Sequence, residues 1–486
     1  MGFADIVDNI IRTLNPKAAL KRDMARLAST NLRKYDGATT GRRTDGWLTR
    51  STSANTEIRR DLVKLRDRHR DLVRNNPWAN RAVDAIASNT VGAGIIGDLR
   101  SENPALVEAW RAWSETTQCD ADNSTNLYGM QAAIIRAVAE SGEVLIRRRV
   151  RRLADGFAVP LQLQIIEPDL LDITKNEPTR VGGRIINGVE FSAVGRITAY
   201  WMFPNHPGEA VSIAASRPIP ASEIAHVYRV ERPGQVRGVP WGASAMITLR
   251  DLDDYEDSYL YRNKIANCIV GAITDTNNDL PAGANAEGEI ELPEKFEPGR
   301  WEIMPAGKDV KFNTPPSTDA YGPYVSQLLY RAAAAYGISF QALTGILTDV
   351  NFSSGRMGWL QEQRNVDRWR SHMIKPQALD VIHRWFFEAA ELQGLSTRNS
   401  SMVWTPPQRE MLDPVKETTG MIMKVRAGLC SLQDSQRRLG QNPDDVIGEI
   451  AEMNKQLDKL GIVLDTDPRH VTRSGVFQDK QEDSDG

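Results

Sequence analysis

Asp251, Asp253, Asp254, Glu256 and Asp257 place five carboxylates in a seven-residue window. Carboxylates that converge on two divalent cations would supply metal-dependent phosphodiester cleavage, with Asp251, Asp254 and Glu256 as the ligands of such a nuclease. Ligands of that kind come from separate elements, however, and these crowd one predicted helix and spread around it. A solvated helix face, or one paired with a neighbouring subunit's arginines, fits them better, and the nuclease stands as the alternative. Five arginines between Arg147 and Arg152 offer contacts to phosphate; a solvated sheet face or an ion-pair network between subunits accounts for them at least as well.

The remaining motifs carry less. Gly92-Ala-Gly94-Ile-Ile-Gly97, with Glu115 downstream, fits the G-x-G-x-x-G pattern of dinucleotide sites. That chemistry needs the glycines between a strand and a helix. Here a helix precedes them and residues 98–104 do not open one directly, so a helix stop and a turn are expected, with no cofactor. The six histidines (His69, His206, His226, His372, His383 and His470) form no H-E-x-x-H and no close pair with an interposed cysteine. They read as structural, and no metal site is expected. Ser141 and Ser431 lie in no nucleophile-elbow pattern, so no catalytic residue is assigned. Cys119, Cys268 and Cys430 are odd in number and widely separated, which is no disulfide framework and suits a reducing compartment.

The elements that would hold these residues belong to a large mixed chain. At 486 residues it exceeds what one core usually organises, and 41% hydrophobic with 25% charged residues is ordinary for globular protein. A net charge of −3 argues against a generally basic nucleic-acid grip, though not against a surface along which DNA slides. No apolar run is long enough for a membrane span. The first twenty residues read as a short amphipathic helix rather than a secretion signal, and Ile6 spoils a myristoylation match.

Helical spacing marks residues 55–73, then a helix capped by Asn76-Pro77, then Gln131–Ser141 stopped by Gly142. From Glu143 to Phe203 the period becomes two. Val144, Ile146 and Val150 face one way and Arg147, Arg149 and Arg151 the other, in a mainly antiparallel sheet with a hairpin at Asn187-Gly188. A long helix is expected from Pro240 to about Cys268, extended segments at Ile269–Thr274 and Trp301–Phe312, and a helix over Ala320–Tyr336. A loop at Thr344–Gly355 follows, carrying Ile346, Leu347, Val350 and Phe352. Beyond it, a very long helix to Leu392 should kink at Pro376, and 404–461 should be helical with breaks at Gly428, Gly440 and Gly461.

Several blocks in this order resemble the lambda-type portal proteins of tailed bacteriophages. They are the strand, Arg232-Pro-Gly-Gln-Val-Arg-Gly turn and acidic helix of 219–268, and Asn75-Asn-Pro-Trp through Gly94-Ile95. Glu140-Ser-Gly-Glu-Val-Leu-Ile, Ile165-Ile-Glu-Pro-Asp, Ser339-Phe-Gln-Ala-Leu-Thr-Gly, Asn351-Phe-Ser-Ser-Gly-Arg, Trp404-Thr-Pro-Pro and Asp413-Pro-Val-Lys continue the likeness.

The resemblance implies an α+β portal fold rather than an enzyme. It implies an N-terminal arm (1–29), a β-rich wing (30–239), a first stem helix (240–268), a clip (269–317), a second stem helix (318–343) and a tunnel loop (344–355). A long kinked helix (356–395), a helical crown (396–476) and an acidic tail (477–486) would complete the chain. It implies twelve-subunit rings at one capsid vertex in the virion, assembled in the host cytoplasm, that conduct double-stranded DNA in packaging and ejection. Partners would be other copies of the chain, the major capsid protein, the terminase large subunit and the head–tail connector, with no membrane and no cofactor. By position, Asp349, Val350, Asn351, Phe352, Ser353, Ser354 and Arg356 would face DNA. Trp301, Glu302 and Lys308 would face the motor, and Asp251, Asp253, Asp254, Glu256 and Asp257 would form an acidic stem face.

Overall fold

The computed structural model describes residues 51–209, 214–267, 271–275, 308–312, 321–348, 351–408 and 413–464, with scattered residues of 13–49 and 411–470. The chain divides into Met1–Ser53 and Ala54–Gly486. In the first unit, Thr13, residues 16–18, Leu20, Lys21 and Met24 are helical, and Trp47 N–H donates to the Thr44 carbonyl.

The second unit opens with α1 (Ala54–Asn75), whose buried stripe is Leu62, Arg66, His69 and Val73. Asn76 caps α2 (Pro77–Thr90) by accepting from Ala79 N–H, and Pro77 fills the first turn, where a missing donor costs nothing. Gly92 and Gly94, both at positive φ, end it and lead into β1 (Ile96–Arg100). The glycine motif is thus a helix stop and a turn, as expected, with Gly97 in a strand not expected from the sequence. An unforeseen helix follows, α3 (Pro104–Ser114), capped by Asn103. It was hidden because only Leu106, Ala109, Trp110 and Trp113 mark its buried face, beyond a polar start. α4 (Leu127–Ser141) begins a turn earlier than its apolar pattern, at the Asn126 cap, and ends at Gly142 in the left-handed region.

β2 (Glu143–Val150) is the middle strand of a three-stranded antiparallel sheet. Its neighbours are β3 (Leu161–Ile166), with Arg147 opposite Gln164, and β8 (Ile224–Tyr228), with Arg147 opposite Ile224. The expected alternation is only half right. Val144 and Ile146 enter the main core, and Leu145 on the other face enters a second core with Ile166, Tyr200 and Met202. A second sheet runs in the order β4 (Arg184–Ile186), β5 (Val189–Phe191), β6 (Ile197–Met202), β7 (Arg217–Pro220). One sheet was expected; there are two, because β2 is covered on both sides. The Asn187-Gly188 turn has both residues at positive φ, as a two-residue hairpin requires. β8 (Ile224–Tyr228) closes the first sheet.

α5 spans Met246–Asn267. It does not begin at Pro240: Trp241 N–H is taken by the Ala139 carbonyl, and residues 241–245 stay in turns that press Gly242 against the core. β9 (Gly271–Asp275) pairs antiparallel with β10 (Lys308–Phe312). The segment between them, with Trp301 and Glu302, lies outside the described residues, as do 477–486. α6 (Tyr321–Tyr336) packs on α5, and Ser339 caps the short α7 (Phe340–Thr344).

α8 is Phe352–Trp369, so the expected loop is shorter by the turn that Asn351 and Ser354 cap reciprocally. The chain then widens into a π-helix over Arg370–Leu379 and returns to α9 (Asp380–Leu392). Pro376 sits inside the wide segment, where Asp380 N–H reaches back to the Lys375 carbonyl; the wider coil makes room for a ring that a tight α-turn would reject. β11 (Ser401–Thr405) corrects the expected all-helical C-terminal region. It pairs antiparallel with β1, Ile96 opposite Thr405, and joins segments about three hundred residues apart along the chain. α10 (Pro414–Arg426), α11 (Leu432–Arg438) and α12 (Pro443–Leu460) complete the fold, and Gly428, Gly440 and Gly461 take positive φ at the breaks. The whole is α+β.

Candidate functional site

The acidic helix presents its carboxylates as a surface face. α5 buries Leu249 and Leu252, while Asp251, Asp254 and Asp257 are exposed and Asp253 and Glu256 half-buried. Asp253 accepts from Asn76 Nδ2 at 2.8 Å, and Glu256 accepts from the Tyr321 hydroxyl at 3.4 Å. Partial burial pushes the Glu256 carboxyl upward, with Asp253 and Asp257 adding to it against the Tyr321 hydrogen bond. Among the described residues the grouping close enough to share a cation is Glu167, Asp169 and His206, not this helix. There Asp169 is already held by Arg66 at 3.1 Å and Arg70 at 2.8 Å, so the negative charge a cation would need is neutralised.

Tyrosines join the two long helices. Tyr259 stacks on Tyr321 at 4.4 Å, Tyr255 lies 6.0 Å from Tyr321 at an interplanar angle of 14°, and Tyr324 closes on Tyr255 at 4.8 Å. This cluster went unread in the sequence, although its signal is there: tyrosines four apart at 255 and 259, and three apart at 321 and 324.

α6 is tied to α1 and α4 through His69. Its Nδ1 lies 2.6 Å from the Glu140 carbonyl, an acceptor only, so Nδ1 carries the proton and donates. Nε2 then accepts from the Tyr336 hydroxyl at 2.7 Å. Burial lowers the His69 pKa, which keeps the ring neutral for this arrangement. Gly242 is the neighbour: a Cβ there would lie 2.2 Å from His69 Nε2 and 2.3 Å from the Tyr336 hydroxyl oxygen.

The Arg232–Gly238 turn serves a buried charge. Arg237, fully buried, donates from Nε to Glu143 Oε1 at 2.8 Å and from Nη1 to the Asn187 carbonyl at 2.9 Å. Glu143 Oε2 accepts from Gly238 N–H and lies 2.9 Å from His226 Nε2. Burial by itself would raise the Glu143 carboxyl; Arg237 and His226 outweigh it, and the net shift is downward. Gln235 locks the turn, accepting from Glu231 N–H and donating to the Arg237 carbonyl. Two blocks of the resemblance, Glu140–Ile146 and Arg232–Gly238, therefore meet in one ion pair.

The arginine run divides. Arg147 pairs with Glu223 at 3.3 Å and Arg148 with Glu388. Arg149 and Arg151 reach the amide oxygens of Gln164 and Gln162 at 2.9 and 2.7 Å. In the 344–355 stretch, Asn351 and Ser354 cap α8, Phe352 and Ser353 belong to its first turn, and Arg356 is exposed one turn on. Ile346 and Leu347 are exposed apolar residues before the helix. Asp349 and Val350 lie outside the described residues, and Lys308 opens β10.

The family described as phage portal protein, lambda family, matches residues 40–370. This chain belongs to that family. Among its portal-protein relatives, a probable portal protein of Halomonas phage phiHAP-1 is 27% identical over 470 residues, covering 90% of this chain and 89% of its own. Portal protein B of Escherichia phage lambda is 20% identical over 516 residues, covering 93% of this chain and 96% of its own. A solved gene transfer agent neck aligns at a TM-score of 0.47 and 15% identity, over 79% of this chain and 94% of that one. The portal blocks quoted from the sequence as far as Arg356 lie inside the matched range.

Proposed function

We propose that this portal-family chain closes head-to-tail into a ring at one capsid vertex, through which double-stranded DNA passes during packaging and ejection. α5 and α6 form the stem, the segment between them the clip, residues 344–355 the tunnel loop, 30–239 the wing and 396–476 the crown. One observation carries the reading: the paired helices and the following loop leave Ile247, Leu260, Tyr261, Tyr330, Ile346 and Leu347 exposed, together with Asp251, Asp254 and Asp257, which have no partner among the described residues. A helix pair buried on one side only wants a second neighbour, and repeated copies supply it. Asp349, Asn351, Phe352 and Ser353 approach the DNA. Trp301, Glu302 and Lys308 face terminase and later the head–tail connector, and the capsid protein surrounds the wing. ATP hydrolysis belongs to terminase; this chain contributes geometry and charge and cuts nothing.

Negative-stain microscopy of the purified chain tests the ring: pored particles are expected, and a particle of single-chain size at every concentration would refute it. Replacing Asn351, Phe352 and Ser353 together should impair packaging or retention of DNA with rings intact. Normal packaging by that variant would remove the loop assignment. Incubation with DNA and magnesium or manganese should leave the DNA uncut, whereas cleavage lost in Asp254→Asn would revive the nuclease.

A further inference from the structure

We propose that two uncovered helix faces of this chain are the halves of one contact between adjacent copies: the acidic outer face of α5 and the basic outer face of α8. The inference rests on the ring reading above and specifies its interface. On α5, Ile247, Asp251, Asp254, Ser258 and Tyr261 recur at intervals of three and four residues, and all are exposed, with Asp257 beside them. Ile247 is 77% and Tyr261 70% exposed, so this face is apolar at its ends and acidic between them. Among the described residues, no side chain donates to or pairs with Asp251, Asp254 or Asp257.

α8 presents the converse. Met357, Leu360, Arg364 and Arg368 follow one another at the same intervals and are all exposed, while Glu362, Val366 and Trp369 are buried on the opposite side. Arg364 has no partner among the described residues, and Arg368 reaches only Asn365 Oδ1 at 3.4 Å. Within one chain, among the described residues, the two faces do not pair with each other. α5 packs along α6, and α8 is fastened to its far end by Asn365 Nδ2 on the Gly337 carbonyl at 2.9 Å.

Two distinct surfaces that complement each other, and not themselves, make a heterologous contact, which propagates from copy to copy and closes when the rotation allows. The dimensions agree. Asp251 to Asp257 spans about 9 Å of helix and Arg364 to Arg368 about 6 Å, so both guanidinium groups fall within the acidic stretch. Leu360 and Met357, both on the N-terminal side of the arginines, then meet the apolar residue at one end of that stretch. Phosphates would also take the two arginines, but they would leave Leu360 and Met357 wet and the aspartates without a cation.

The test uses the full chain in two reversals, Asp251→Lys with Asp254→Lys and Asp257→Lys, and Arg364→Glu with Arg368→Glu. The readouts are light scattering after size exclusion, negative stain and circular dichroism. Wild-type rings are expected; each reversal alone should lose the ring peak while keeping the wild-type dichroism. An equimolar mixture should recover rings of alternating variants, and a chain carrying both reversals should close by itself. Rings formed by each single reversal, or a folded mixture that stays small, would overturn the inference and leave the ring reading standing. So would single reversals that close into rings but no longer retain DNA, since the basic face would then belong to the nucleic acid. Absence of rings from the wild type would sink the ring reading and this contact with it.

Discussion

A carboxylate sealed from water survives only because a cation is sealed in beside it, and Glu143 and Arg237 are that pair. Removing one partner leaves an uncompensated buried charge. Arg237→Met should therefore cost about 3–5 kcal/mol in a urea titration, while Glu143→Gln with Arg237→Met should recover much of it. The pair also sets an acid limit. Glu143's carboxyl is depressed below 4.5, so its contribution is present above that value and lost as pH falls below it. His69 titrates earlier. Its folded pKa is lowered from 6.5, so the unfolded chain binds the proton first, and stability present above 6.5 declines as pH falls below that. His383 shifts the same way. Melting temperatures measured from pH 7.5 to 5 should fall for the wild type and fall less steeply for His69→Gln. Equal slopes would refute the neutral-histidine arrangement. Cys119 offers a check on burial: its thiol is pushed up to about 12, so alkylation at pH 8 should label Cys430 and spare Cys119.

At the scale of elements, caps and breaks were the most legible features. Asn76, Gly142, Gly428 and Gly461 act within a turn of where they stand, so their signal is local, whereas the cap at Asn351 and Ser354 falls where the sequence reads as loop. The Asn351 cap makes a direct prediction. Asn351→Ala should destabilise α8 by about 1 kcal/mol and speed hydrogen exchange over residues 352–356, leaving α6 unchanged. Pro376 was legible as an interruption but not as a π-helix. How a chain relieves a proline depends on what holds it on either side, and here Gln377 on the Tyr228 N–H anchors one side to β8. The same holds for the start of α5, where the acceptor that diverts Trp241 lies a hundred residues away on Ala139.

For the whole molecule, the β1–β11 ribbon decides whether the C-terminal region is a separate body. Trp404 of β11 packs on Trp110 at 6.0 Å, and a Cβ on Gly97 would lie 2.7 Å from both rings. Ending the chain before Ser401 should lower the melting temperature of what remains and raise the fluorescence of a dye that binds apolar surface. If the truncated chain melts like the full one, the ribbon is an ornament rather than a seam.

Most of the helices and their caps were properties of neighbouring residues and were carried by periodicity, while the family blocks were legible as runs of residue identity in a fixed order. Membership of the portal family rests on the match over residues 40–370, which is spread over the chain rather than lodged in one site. The tertiary structure alone decided that Glu143 finds Arg237, that four tyrosines meet across two helices, that β2 is covered on both faces and that β11 returns to β1. Each joins residues whose separation along the chain is large, and a short window of sequence cannot encode which of many compatible partners a side chain will meet once the core has closed.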